Sequence, residues 1–187
     1  MSRRNTPVLV VYTHPDPDSF TARVRDHVVS SLAHRDRVVD LLDLYGEAFD
    51  PVFSVDDLRA HDDHDIPAGV VAEHGRRLHR VRTIVFVYPT WFGSPPAMLK
   101  GWIDRVFTAG VPLRNIQQVV VVTTHGSSKA VNAFGGEPGK RMILRTLRAL
   151  CHPLARSRWI ALYNVDRAPR EDCAEFLAKI ERRLSRV

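Results

Sequence analysis

Pro89-Thr90-Trp91-Phe92-Gly93-Ser94-Pro95-Pro96 sets a hydroxyl, two adjacent aromatic rings and a glycine between stiffening prolines. Aromatic faces and edges suit contact with a flat ring, and a glycine lets the backbone approach one closely. The bland alternative is that both aromatics close the core. A second set is His14-Pro15-Asp16-Pro17-Asp18-Ser19-Phe20-Thr21. Ser19 is a good helix N-cap and Thr21 adds a hydroxyl in the first turn. A helix start of this kind offers free backbone N–H groups to an anion such as a phosphate. Asp16 and Asp18 argue against an anion unless they turn outward, so this loop alone is balanced between a phosphate cradle and a plain capped helix. Neither GxGxxG nor GxxxxGK[ST] occurs, which excludes the usual dinucleotide fingerprint and the P-loop; Gly139-Lys140-Arg141 lacks the leading glycine and the following hydroxyl.

Such residues need elements to hold them. Val8–Tyr12 is a continuous apolar run rich in β-branched residues and too short for a helix, which predicts a buried strand. Phe20, Val24, Val28 and Leu32 recur every four residues, the face of a helix. Arg37–Leu44 reads as a second strand, Val70, Val71, Leu78 and Val81 as a second helix, and Thr83–Tyr88 as a third strand. Pro95 or Pro96 opens the next helix, with Leu99, Trp102, Ile103 and Val106 inward. Gln117–Thr124 is a fourth strand, Arg141–Leu150 a helix, Trp159–Tyr163 a fifth strand, and Cys173, Phe176, Leu177, Ile180 and Leu184 a final helical stripe. Alternating strands and helices predict an α/β domain: a doubly wound, five-stranded parallel sheet with helices on both faces. In that architecture ligands sit outside the carboxyl ends of the strands. Three loops are therefore the place to look: Thr13–Ser19, Pro89–Ser94 and Thr123–Ser128. Tyr45–Pro67 is long for a loop and predicts a functional or interface role. Asp62-Asp63-His64-Asp65 within it reads as a solvated polar run, and no metal is expected.

Bulk properties narrow the classes. The 187 residues suit a single domain over 1–187. Apolar runs such as Val119–Val122 and Pro7–Tyr12 fall far short of the ~20 residues that span a bilayer. Ser2-Arg3-Arg4 before Val8–Val11 lacks the length and cleavage site of a signal peptide, so the expected location is cytoplasmic. The formal charge of +6 is spread with no basic run longer than a pair, so nucleic acid is not an expected partner, although a phosphorylated cofactor would be attracted. Cys151 and Cys173 have no metal-site spacing, and Cys173 on its apolar stripe is expected to be a buried thiol.

The segment Pro89–Phe107, ending Ala97-Met98-Leu99-Lys100-Gly101-Trp102-Ile103-Asp104-Arg105-Val106-Phe107, closely resembles one shared by NAD(P)H:quinone oxidoreductases of the flavodoxin-like superfamily. His14-Pro15 with Ser19-Phe20-Thr21, and Asp43-Leu44-Tyr45 with Phe49-Asp50-Pro51, match the same family in order and spacing. The resemblance implies a flavodoxin-like fold and a bound flavin that takes hydride from NAD(P)H and passes it to a quinone or similar small acceptor. It implies that His14, Ser19, Phe20 and Thr21 hold the phosphate and ribityl chain. Pro89, Thr90, Trp91, Phe92 and Gly93 would meet the ring, and Thr123, Thr124, His125, Gly126 and Ser127 its pyrimidine end. Gly101 and Trp102 are expected to pack, and Lys100 and Asp104 to form an i,i+4 pair. The chain's length is similar to the shorter, FMN-binding branch, with FAD the alternative; a homodimer is also implied. One departure is clear: Ser127–Gly136 carries no tyrosine or second histidine to assist charge transfer, and His125 stands where members have glycine. His125 is therefore the candidate catalytic residue, an imidazole able to donate a hydrogen bond to charge developing on the reduced ring. The rival reading is an ancillary regulatory subunit of a potassium-efflux antiporter, which some similar flavoproteins serve. An electron carrier such as flavodoxin fits less well, because such carriers are usually acidic.

Overall fold

Runs of β-branched residues too short for helices line up as one sheet in the computed structural model, which describes residues 6–63, 69–107, 113–185 and 187. The strands are β1 (Val8–Tyr12), β2 (Val39–Asp43), β3 (Thr83–Thr90), β4 (Gln118–His125) and β5 (Arg156–Leu162). Their spatial order is β2-β1-β3-β4-β5 and every pairing is parallel. The register runs level at the amino ends, with Val8 opposite Val39 and Thr83, and Gln118 opposite Thr83 and Arg156. The chain leaves β1 for β2 on one side and returns to β3 on the other. The carboxyl ends of β1 and β3 thus bound the switch point where a crevice must open.

Side-chain alternation divides the interior in two. Val8, Val10, Tyr12, Val85, Val87, Val120 and Val122 face α1 (Phe20–Ala33) and the terminal helix, whose Phe176, Ile180 and Leu184 are buried against them. Leu9, Val11, Ile84, Phe86, Val119 and Val121 face the opposite layer. That layer includes α3 (Val70–Arg80) and α4 (Ala97–Val106), entered by Pro96 as expected. The predicted core of α4 holds for Leu99, Trp102 and Val106, with Ile103 half-buried.

Four expectations change. Within Tyr45–Pro67, residues Val55–Asp62 form a helix, α2, so this stretch is not a long bare loop. Ser54 Oγ accepts from Asp57 N (3.1 Å) while Asp57 Oδ2 accepts from Ser54 N (2.7 Å), a reciprocal cap. Arg105 Nε also donates to Asp57 Oδ2 (2.9 Å), tying α2 to α4. Val55 and Leu58 of this helix are exposed, so no apolar stripe marks it. Asp62 and Asp63 end α2; His64, Asp65 and the rest of the stretch to Pro67 lie outside the described residues. Second, α5 (Lys129–Phe134) follows β4, capped by Ser128 Oγ accepting from Val131 N (3.2 Å). Third, the helix expected over Arg141–Leu150 begins earlier. It runs as α6 (Pro138–Arg141), a π-helical segment (Met142–Leu147) and α7 (Arg148–Leu150), before α8 (Arg170–Leu184) closes the chain. Fourth, Cys173 is only half-buried, and Cys151 is the core thiol, pushed up to about 11 by burial. Among the described residues, no helix is long and apolar enough to cross a membrane, and no group of His, Cys, Asp or Glu is placed to hold a metal.

Candidate functional site

A crevice of about 1050 Å³ opens at the carboxyl ends of the strands, just above the roughly 300–1,000 Å³ usual for small-molecule sites. Each of its walls descends from a sequence feature. On the α1 side, Ser19 takes an extended conformation as N-cap and its Oγ accepts from Ala22 N (3.1 Å). The N–H groups of Phe20 and Thr21 then have no partner among the described residues, which leaves them to an anion in the crevice. Asp16 reaches the margin, but its Oδ1 turns back to accept from Asp18 N (2.9 Å). Asp18 does not line the crevice. His14 Nδ1 lies 3.0 Å from Asp16 N, and its ring stands 6.1 Å from that of Trp91.

The aromatic wall is a tight turn. Trp91 and Ser94 exchange both backbone hydrogen bonds at 3.0 Å, with Phe92 (φ 49°) and Gly93 (φ 73°) left-handed between them. Two positive φ values in a two-residue turn are natural for glycine and uncommon for a bulky residue. Backbone in such regions persists where its surroundings fix it, often at functional sites. Here the surroundings are α6: Gly139 N donates to Gly93 O (2.9 Å), and Pro138 packs beside Gly93. The result projects Phe92 wholly into solvent and leaves Trp91 43% exposed at the rim. Both aromatics therefore face the opening rather than close the core.

Opposite, Thr124, Gly126 and Ser127 line the crevice, while Pro89 and Thr90 form part of its base. Thr123 and His125 do not line it; they lie just beneath, 1% and 4% exposed. His125 Nδ1 is 2.8 Å from Asn132 Oδ1, and Nε2 is 3.4 Å from Thr90 Oγ1, itself 2.8 Å from Thr123 Oγ1. Tyr163 stacks on the imidazole with centroids 4.5 Å apart. Burial holds the His125 pKa below the usual histidine range; the Asn132 bond and Glu137 oppose that shift, and Lys140 adds to it. The imidazole is therefore neutral near pH 7, and a buried ring makes no direct contact with a ligand in the crevice as it stands.

Other residues join that sequence reasoning did not single out. Asn132 and Val131 arrive on α5, Pro138 on α6, and Val165 and Asp166 on a 3₁₀ turn (Val165–Arg167) after β5. The rule that ligands collect at carboxyl ends also covers the loop after β5, so Asp166 was within reach of that rule. Asp166 crowds Gly126: a Cβ at 126 would lie 2.6 Å from Asp166 Oδ2. Trp102 and Gly101 are packing residues. Trp102 Nε1 donates to His74 Nδ1 (3.1 Å), and Gly101 admits the Pro51 backbone where a Cβ would collide with it. Lys100 Nζ meets Asp104 Oδ1 at 2.6 Å on the exposed face of α4.

A family model for the flavodoxin-like fold matches residues 6–184. NAD(P)H dehydrogenase (quinone) 1 of Cavia porcellus is 27% identical over 165 residues, covering 73% of this chain and 59% of that protein. An uncharacterized NAD(P)H oxidoreductase of Escherichia coli (strain K12), YcaK, is 33% identical over 111 residues, covering 56% of this chain and 54% of that protein. The chain thus spans little more than half the length of these curated relatives. Among solved structures, Smu.1420 from Streptococcus mutans UA159 superposes with a TM-score of 0.83 at 25% identity, covering 97% of this chain and 100% of that one.

Proposed function

The chain belongs to the flavodoxin-like fold family, and from that premise we propose that it is a flavin-dependent NAD(P)H oxidoreductase acting on a quinone or similar small acceptor. One observation carries the reading. A single crevice at the sheet's switch point pairs the unpaired N–H groups of a helix start with a glycine-aromatic turn at its rim. A phosphate at Phe20 and Thr21 and a flat ring against Trp91 satisfy both features at once. Bound there, the flavin supplies hydride chemistry that no side chain offers. The protein's part is to hold and orient. Ser19, Phe20 and Thr21 anchor the phosphate, with His14 beside them. Trp91, Phe92 and Gly93 border the ring, while Thr90, Thr124, Gly126 and Ser127 offer polar contacts to its edge.

FMN is the first reading of that flavin. A specific observation favours FAD as the second reading: a neighbouring depression of about 670 Å³ shares Phe20 and Val165 with the crevice and is lined by Arg23 and Arg170. Those guanidinium groups would suit an adenylate extending from the same phosphate. NAD(P)H and the acceptor need the same ring face, so they must alternate. The relatives' names favour an enzyme over an antiporter's ancillary subunit. A homodimer is supported by Val52, Phe53, Val55 and Leu58, a cluster in sequence that is exposed in the single chain.

The test is the visible spectrum of the purified protein with the mass of any cofactor released on denaturation. A flavin spectrum with the mass of FMN is expected; a colourless protein that does not quench FMN or FAD fluorescence would sink the proposal. Steady-state kinetics with NAD(P)H and a soluble quinone should give parallel double-reciprocal lines, and intersecting lines would contradict a shared face.

A further inference from the structure

The bonds beneath the crevice fix more than a position. Asn132 Nδ2 donates to Ser128 O (2.8 Å) and to Ser127 Oγ (2.8 Å), and lies 3.5 Å from Ser127 O. Carbonyl oxygens only accept, so the amide cannot be turned round, and Oδ1 is the atom that faces His125. The 2.8 Å contact from His125 Nδ1 to Oδ1 then requires the proton on Nδ1. In the neutral ring Nε2 is a bare acceptor in a buried side chain, with Thr90 Oγ1 at 3.4 Å its hydrogen-bond partner among the described residues. The Thr90 hydroxyl has one proton to give. It goes inward to Nε2, and Thr123 Oγ1 then donates to Thr90 Oγ1 (2.8 Å). Turning that proton to the crevice would leave buried Nε2 without a donor, which buried acceptors resist. Thr90 therefore shows the crevice lone pairs only.

Protonating Nε2 reverses this arrangement. Nε2–H donates to Thr90 Oγ1, Thr123 also donates to it, and the Thr90 proton is pushed out into the crevice. We propose that Asn132 and His125 are positioning residues that set whether Thr90 presents an acceptor or a donor to the ligand. This rests on the flavoprotein reading for the ligand's identity, but not for the network itself. A ring edge bearing N–H is favoured against the acceptor form, and one bearing carbonyl oxygen or bare nitrogen against the donor form. Charged and titratable groups around His125 are Glu137, which accepts from Lys140 Nζ (2.7 Å) and Tyr163 Oη (3.4 Å), and Tyr163 on its face. Burial keeps the ring neutral at pH 7, so the acceptor form prevails there and the donor form appears only on acidification below the usual histidine range.

The experiment joins two measurements on the FMN-loaded protein from pH 5 to 8. Side-chain ¹⁵N NMR of His125 should show Nδ1 protonated and Nε2 bare above its titration; the opposite tautomer, or a free mixture of both, overturns the inference. In parallel, FMN affinity by fluorescence quenching should change about three- to tenfold across that titration, the range one neutral hydrogen bond commands. Thr90→Val keeps the shape but removes the hydroxyl. Its His125 should still titrate by NMR while the step in affinity vanishes, and Thr90→Ser should restore the step. A step that persists in Thr90→Val would mean His125 acts through its charge alone and would overturn the role of Thr90. His125→Gln should bind FMN with no step. Failure of the wild-type chain to bind FMN would overturn the flavoprotein reading, whereas the wrong tautomer would overturn this inference alone.

Discussion

Two glycines beside the crevice have different neighbours, and so different consequences. At Gly126 the obstacle to a Cβ is the Asp166 carboxylate, the free end of an exposed side chain that can swing aside. At Gly139 it is Gly93 O, Pro95 Cδ and Ser94 Cα, each 2.9 Å from the Cβ position, and none can move without moving the aromatic turn. Gly139→Ala should therefore cost about 1–3 kcal/mol as overpacking and weaken FMN binding. Gly126→Ala should cost under about 1 kcal/mol, the range of ordinary surface changes. Urea denaturation with FMN titration of both variants checks the order, and equal losses would contradict it. Two buried histidines make a further prediction. His74 accepts from Trp102 at Nδ1 and so donates from Nε2 to Glu47 Oε2 (3.0 Å). Burial lowers its pKa, as for His125, with Glu47 only partly opposing. A lowered folded pKa means that the unfolded chain binds protons first, below about 6.5. Stability is full above that pH and falls as pH drops through the folded values. Calorimetric Tm should decline from pH 7 to 5, and His125→Gln should lessen the slope.

At the scale of elements, α2 is held by its cap, and held to α4 by the Arg105–Asp57 ion pair rather than by an apolar face. Arg105 meets Asp57, whose side chain is 2% exposed, and also donates to Asp50 O. Burial alone would raise the Asp57 carboxyl, but the Ser54 backbone and hydroxyl donors and Arg105 outweigh it and hold the pKa down. Ser54→Ala should cost about 1 kcal/mol, the worth of an N-cap. Asp57→Asn leaves the half-buried Arg105 charge without its carboxylate and should cost about 3 kcal/mol. Denaturant unfolding of both variants measures the gap, and equal losses would show that the link from α2 to α4 adds nothing to the cap.

At the scale of the whole molecule, the exposed apolar side chains are unevenly spread. Trp91, Phe92 and Val131 line the crevice, and Val52, Phe53, Val55 and Leu58 lie on and before α2. Exposed apolar clusters on a soluble domain mark contact surfaces. The proposed homodimer uses the second cluster, and Val55→Asp should convert it to a folded monomer. Light scattering with circular dichroism decides: an unchanged mass in the variant, or a wild-type monomer with full flavin occupancy, would contradict the interface.

The sheet and the place of the crevice were legible in the sequence because both rest on local patterns. Val8–Tyr12 and Val119–Val122 are buried on two faces, so their apolar runs are unbroken, and the carboxyl-end rule turns strand order into loops of interest. Trp91, Phe92 and Gly93 were visible for the same reason, since a tight turn is written in adjacent residues. α2 was not legible: its Val55 and Leu58 face solvent, and its cap is completed by aspartate and by an arginine from α4. The setting of His125 was likewise hidden. Its spacing put it at the end of β4, but only packing brings Asn132 to Nδ1, Tyr163 onto the ring face and Thr90 to Nε2. Those partners come from three separate stretches of the chain, and a tautomer set by contacts between distant stretches has no pattern along it. The sequence by itself determined where a crevice would open; which atoms line it as donors or acceptors was decided by the tertiary structure.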